Sequence, residues 1–277
     1  MKDNQPQPIG VFDSGYGGLT ILKELVKKLP SYDFIYLGDN ARAPYGPRSF
    51  ETVYAYALEA VIKLFSMGCR LVIIACNTAS AKALRSIQQK NLPLIDPAKR
   101  VLGVIRPTVE YIGRVTVTGH IGVLGTTGTV ASNSYPLEIA KLYPGFTVVQ
   151  EACPLWVPLV ESNELSGPGT EYFVRKHIER LLSADPAIDA VILGCTHYPL
   201  LLDTIMTFTP AGVKVIPQDS IVAESLADYL RRHPEIDAFC SRRGLVRFFT
   251  TDSADLFSTV GSIFYGSDIR AEKISLP

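Results

Sequence analysis

Short uninterrupted apolar runs alternate along this chain with stretches whose apolar positions recur at helical spacing. Residues 9–12 form the first run, and Leu19, Leu22, Leu25, Val26 and Leu29 then recur at intervals that predict a helix over 19–29. Residues 34–37 are the second run. A polar loop separates them from a long helical pattern over 50–67. Residues 71–75 form a third strand, followed by a helical pattern over 79–89. Strands this continuously apolar are expected in parallel sheets covered on both faces. Strand–loop–helix repetition with short connections predicts a doubly wound α/β architecture.

A second round begins near Arg100, with strands expected at 101–105, 121–124, 146–149 and 191–193. Ile9-Gly10-Val11-Phe12 before Asp13-Ser14-Gly15 aligns with Ile121-Gly122-Val123-Leu124 before Gly125-Thr126-Thr127. The offset is 112 residues there (9 to 121) and 119 between Cys76 and Cys195. An internal duplication with a small insertion accounts for both offsets, and so does chance similarity between apolar strands. After Pro210 come a strand at 213–216, a helix at 221–231, a strand at 246–250 and a helix at 254–264. This segment is expected to return to the first unit. The expected domains are therefore 1–100 plus 210–277, and 101–209, joined by two chain crossings with a cleft between them. Ligands of open α/β sheets sit at the carboxyl ends of strands. Asp13, Ser14, Asp39, Cys76, Thr126 and Cys195 all fall at or just beyond such ends.

Composition narrows the partners. The chain has 277 residues, zero formal net charge and 47% hydrophobic residues, with no basic cluster to attract a phosphate backbone. Nucleic acid is excluded as a primary partner. No apolar run approaches the roughly 20 residues that span a bilayer, and the polar start over 1–8 lacks a signal-peptide core. Five cysteines, odd in number and without CxxC spacing, read as free thiols of a reducing cytoplasm. Without HExxH, clustered His/Cys spacing or an EF-hand, no metal is expected.

Two of those cysteines carry the chemistry. Leu71-Val72-Ile73-Ile74-Ala75 runs into Cys76-Asn77-Thr78, and Val191-Ile192-Leu193-Gly194 runs into Cys195-Thr196-His197. A lone buried thiol is usually core packing, and Cys69, Cys153 and Cys240 are read that way. A matched pair at strand ends, each followed by hydrogen-bonding side chains, points to two acid/base groups facing one site. His197 adjoins the second thiol and is placed to support its proton transfer; His120, His177 and His233 adjoin no such group. The turn Asp13-Ser14-Gly15-Tyr16-Gly17-Gly18 opens a helix. It is neither GxGxxG nor a P-loop, so it is either a tight turn or a cradle for a group bearing an amine as well as a carboxylate. The polar loop 39–46 has the position of a ligand-contacting loop, and Glu161 lies in a comparable loop of the second round.

Together these motifs resemble the glutamate racemases of the cofactor-independent aspartate/glutamate racemase superfamily. The matching stretches are IGVFDSGYGGL (9–19), YLGDNARAPYG (36–46), IIACNTAS (73–80), IGVLGTTGTV (121–130) and LGCTHYPLL (193–201). The resemblance implies two pseudo-symmetric α/β domains with largely parallel sheets and an active site in the interdomain cleft. It implies interconversion of L- and D-glutamate without a cofactor, supplying D-glutamate for peptidoglycan, in a cytoplasmic enzyme expected as a homodimer. It places Cys76 on the D enantiomer, partnered by Asp13, and Cys195 on the L enantiomer, partnered by His197. Ser14, Tyr45, Gly46, Asn77, Thr78, Thr127 and Thr196 match substrate contacts, alongside Asp13 and His197. Asp39 and Glu161 match supporting acids. A sister racemase acting on aspartate or a related substrate is the alternative. The chain departs from the resemblance at the extended stretch 95–100 and at Arg106, where an acidic residue is expected.

Overall fold

The computed structural model describes residues 7–276. The polar start read as lacking a signal-peptide core lies largely outside them. Among the described residues ten strands build two sheets: β1 (Ile9–Asp13), β2 (Phe34–Gly38), β3 (Leu71–Ile74), β4 (Arg100–Gly103), β5 (His120–Gly125), β6 (Thr147–Ala152), β7 (Ala190–Gly194), β8 (Lys214–Ile216), β9 (Val246–Thr250) and β10 (Ala271–Lys273). The first sheet runs β10-β9-β2-β1-β3-β4 and the second β6-β5-β7-β8. Every pairing is parallel. The fold is thus α/β in two domains with separate sheets. The inner order β2-β1-β3-β4 repeats as β6-β5-β7-β8, so Cys76 after β3 and Cys195 after β7 occupy equivalent places.

Both faces of β1, β2, β3 and β7 are buried along their whole length, which explains their unbroken apolar runs. Helices Gly18–Lys28 and Asp219–Arg232 pack together and supply Leu19, Leu22, Leu25, Val222 and Leu226 to one face of the core. Helix Phe50–Ser66, capped by Ser49, covers the other face with Val53, Ala57, Val61 and Leu64. Among the described residues no helix is long and apolar enough to cross a membrane.

Three sequence expectations shift. The strand expected at 101–105 in the second round is β4, and it pairs with β3 at the edge of the first sheet. The strand expected at 213–216 to rejoin the first unit is β8, and it pairs with β7 in the second sheet. By sheet membership the chain passes from the first sheet to the second after β4 and returns after β8. Apolar edge strands carry no mark of which sheet they join, so periodicity alone cannot place them. The helix expected over 79–89 starts earlier and is broken, as Asn77–Lys82, then Leu84–Ser86, then a π-helical turn Ile87–Asn91.

Asp33 staples the first sheet at its amino end. Its carboxylate accepts from Ser241 Oγ (2.6 Å), the backbone N–H of Arg243 (2.9 Å) and that of Leu245 (3.0 Å), which sets the chain up to enter β9. Asp33→Ala leaves these donors unpaired at a buried position and is expected to cost about 3 kcal/mol of unfolding free energy, read by urea denaturation.

Candidate active site

Strand ends place the chemistry. The order β2-β1-β3 reverses direction around β1, so the carboxyl ends of β1 and β3 open a crevice that Ser14 and Cys76 enter. The second sheet does the same with Thr126 after β5 and Cys195 after β7. The two crevices face each other across one cleft of about 260 Å³. Its walls include Ser14, Tyr45, Gly46, Cys76, Asn77, Thr78, Thr127, Glu161, Cys195, Thr196 and His197. The volume suits a ligand smaller than the drug-sized molecules of typical pockets. A larger cavity of about 440 Å³ lies at the back of the domain junction, beside Arg85, Arg106 and Glu138, and holds none of the predicted site residues.

Each thiol has its own partners. Cys76 caps helix Asn77–Lys82, its sulfur accepting from the Ala79 N–H at 3.4 Å, and Ser14 Oγ lies 3.4 Å from the same sulfur. Burial and the Asp13 charge push the Cys76 thiol up to about 12, against the lowering by Ser14 and Ala79, so it rests protonated. Cys195 Sγ contacts His197 Nδ1 at 3.9 Å, and His197 Nε2 meets Glu161 Oε1 at 2.9 Å. Burial disfavours charge on His197, but its contacts with Cys195 and Glu161 outweigh that and raise it from 6.5 to about 10. The imidazole is therefore cationic near neutrality.

That shift has a sign. A group whose value is raised on folding stabilises the fold fully below its unfolded value and loses this contribution as pH rises through the folded one. The thermal midpoint is expected to fall as pH climbs from 6.5 towards about 10. It should fall less in Glu161→Gln, compared by calorimetry across that window.

Two predicted residues do not line the cleft. Asp13 is fully buried, accepts from the Gly15 N–H at 3.0 Å through Oδ2, and leaves Oδ1 without a partner. Burial raises its carboxyl above the usual range, against the pull of His197. Asp39 sits behind the wall. It accepts from the Tyr45 hydroxyl, from Arg42 Nε (2.7 Å) and from Thr251 Oγ1 (2.9 Å), and so fixes the Tyr45 ring that does face the cleft. Asp39 thus reaches the cleft through Tyr45.

The cleft also has walls that sequence reasoning did not single out. Pro44, Cys153, Pro154, Val157 and Pro158 supply apolar surface. Thr126 was noted only as a strand-end residue. Its hydroxyl lies 2.9 Å from Thr78 Oγ1, which joins the two domains at the cleft wall. Cys153, expected as a packing thiol, is buried in the core cluster and also borders the cleft. His120, His177 and His233 pair with Asp185, Glu151 and Glu235 away from the cleft. Among the described residues no group of three or more His, Cys, Asp or Glu side chains could hold a metal ion. None of the described lining residues is Lys or Arg. A bound carboxylate would meet hydroxyls, amides and the His197 cation.

Two strand-end thiols, each with its own polar partners, thus line one cleft. A family model for Asp/Glu/Hydantoin racemase matches residues 9–226, and the chain belongs to that family of isomerases. A glutamate racemase from Persephonella marina is 41% identical over 271 residues, covering 97% of each chain. A glutamate racemase isoform from Bacillus anthracis superposes with a TM-score of 0.89 at 34% identity over 98% of both chains. One from Francisella tularensis, solved in complex with D-glutamate, gives 0.85 at 35% identity over 97% of both.

Proposed function

We propose that this chain interconverts L- and D-glutamate by removing the α-proton on one face and returning a proton on the other. The observation that carries the reading is the pair of thiols at equivalent strand ends of two sheets, facing one cleft with different partners. Cys76, beside Ser14 and Asp13, takes the proton of D-glutamate. Cys195, beside the His197–Glu161 pair, takes that of L-glutamate. Each thiol delivers a proton when the other removes one.

The α-proton of an amino acid is weakly acidic, so the surroundings must stabilise the carbanion. Ser14, Asn77, Thr78 and Thr196 provide donors in the cleft, where preorganised hydrogen bonds to developing charge stabilise the carbanion. Asp13 acts on Cys76 through its charge and the cationic His197 contacts Cys195 directly, so each thiol has a titratable group that bears on its protonation. Enantiomers have equal free energies, so kcat/KM must be the same from either side. The substrate reading is supported by the glutamate racemases among the relatives, and the D-glutamate formed would serve peptidoglycan synthesis.

The test is proton NMR of the purified chain with L-glutamate in deuterated buffer without added cofactor. Loss of the α-proton signal with formation of D-glutamate is expected. Exchange of aspartate in place of glutamate would reassign the substrate, and exchange of neither would overturn the racemase reading.

A further inference from the structure

The Asn77 side chain is held in a closed ring of three buried groups. Asn77 Nδ2 donates to Gln218 Oε1 at 2.6 Å, Gln218 Nε2 donates to the Tyr135 hydroxyl at 2.5 Å, and that hydroxyl donates to Asn77 Oδ1 at 2.7 Å. Gln218 Nε2 also donates to Thr108 Oγ1 at 2.8 Å, and Thr108 donates to the Val104 carbonyl at 2.9 Å. All four side chains are buried. The parts of the molecule that meet here are unrelated in sequence. Asn77 follows the first thiol. Val104 and Thr108 lie at the first chain crossing, Gln218 follows β8 at the second, and Tyr135 comes from helix Ser134–Leu142 of the second domain.

The ring uses Asn77 Oδ1 and one of the two Nδ2 hydrogens, which fixes the amide plane and which end is the donor. Asn77 still lines the cleft beside Cys76, with one N–H left to give. Each member of the ring is both donor and acceptor, so each bond polarises the next, and the loss of one leaves the others underpaired in a buried place.

We infer that Gln218 is a positioning residue: through this ring it orients the Asn77 amide for the substrate and ties that orientation to both domain crossings. The inference rests on the racemase reading above and deepens it. A site assembled from two domains needs its donors in register with the seating of those domains, because a misplacement of about 1 Å can cost on the order of a hundredfold in rate. Gln218 contacts both crossings and an active-site side chain at once. It is the joint through which domain seating reaches Asn77.

The experiment is a double-mutant cycle on the full chain, read as α-deuterium incorporation into L- and D-glutamate, with folding followed by circular dichroism. Gln218→Met removes the joint at similar length, and Tyr135→Phe removes a single oxygen of the ring if the first variant does not fold. Either is expected to slow exchange of both enantiomers on the order of ten- to a hundredfold, with kcat falling more than KM rises. In an Asn77→Ala background the same changes should alter the rate by less than about twofold, because the group they orient is gone. Equal slowing in both backgrounds would show that the ring acts on stability alone and would overturn the inference, as would unchanged rates in the parent background. A parent protein that exchanges neither enantiomer overturns the racemase reading instead.

Discussion

Cys76→Ala is expected to abolish racemisation while sparing α-proton exchange of L-glutamate, and Cys195→Ala to do the reverse. The reasoning follows the path of one proton. In Cys76→Ala, Cys195 still removes the proton of L-glutamate and, in deuterated buffer, returns deuterium to the same face. No group waits on the other face, so the product is labelled L-glutamate. D-glutamate presents its proton to the empty face and is left untouched. Racemisation should fall on the order of a thousandfold or more, the upper range for loss of a positioned acid/base group. The label should appear in one enantiomer only.

This asymmetry separates a two-base mechanism from its rivals better than loss of activity does. A single shared base would lose exchange of both enantiomers together when it was replaced. A nucleophilic cysteine would leave one variant fully active. Retention of racemisation in either alanine variant would sink the assignment. The partners predict a second-order difference. Cys195 contacts a histidine held by Glu161, whereas the Cys76 sulfur meets Ser14 and a backbone N–H. Replacing His197 with Asn should therefore slow exchange of L-glutamate more than that of D-glutamate, followed by the same NMR measurement.

The repeated apolar runs carried the doubly wound class of the fold, because parallel strands buried on both faces leave a signature that needs no tertiary information. The two thiols were legible for a related reason: each ends such a run, and strand ends are where open α/β sheets bind ligands. Long-range pairing was not legible. Whether 100–103 joins β3 or starts a new sheet depends on which hydrophobic face covers it, and either placement buries the same residues. The Asn77–Gln218–Tyr135 ring was invisible because its members lie 58 and 141 residues from Asn77 and match no motif. Asp39 was placed near the site for a sound reason, its loop. That it holds Tyr45 follows only from a hydrogen bond that composition cannot supply. Gly17 stood in the quoted turn as one glycine among three, and its role emerges only from what lies opposite it.

Gly17→Ala is expected to lower kcat on the order of a hundredfold with little loss of stability. Gly17 precedes helix Gly18–Lys28 with φ −57°, a conformation any residue adopts, so backbone freedom is not why glycine stands there. Space is the reason. A Cβ at this position would sit 2.2 Å from Thr196 Oγ1 and 2.4 Å from His197 Nδ1. Neither neighbour can swing aside easily: both are buried, and His197 is held by Glu161 and by Cys195. The added methyl must push the segment carrying Cys195 away from the first domain by roughly the 1 Å that suffices for such a loss of rate. Gly17 is the N-cap of the helix and its side-chain position makes no capping hydrogen bond, so the cost of alanine to the helix itself is modest and the thermal midpoint should move little while turnover falls. Steady-state kinetics in both directions, paired with calorimetry, checks this. An alanine variant as fast as the parent would mean that close approach of the two domains at Gly17 is not required for proton transfer. A variant that lost stability in step with activity would place the contact in the fold, not in the chemistry.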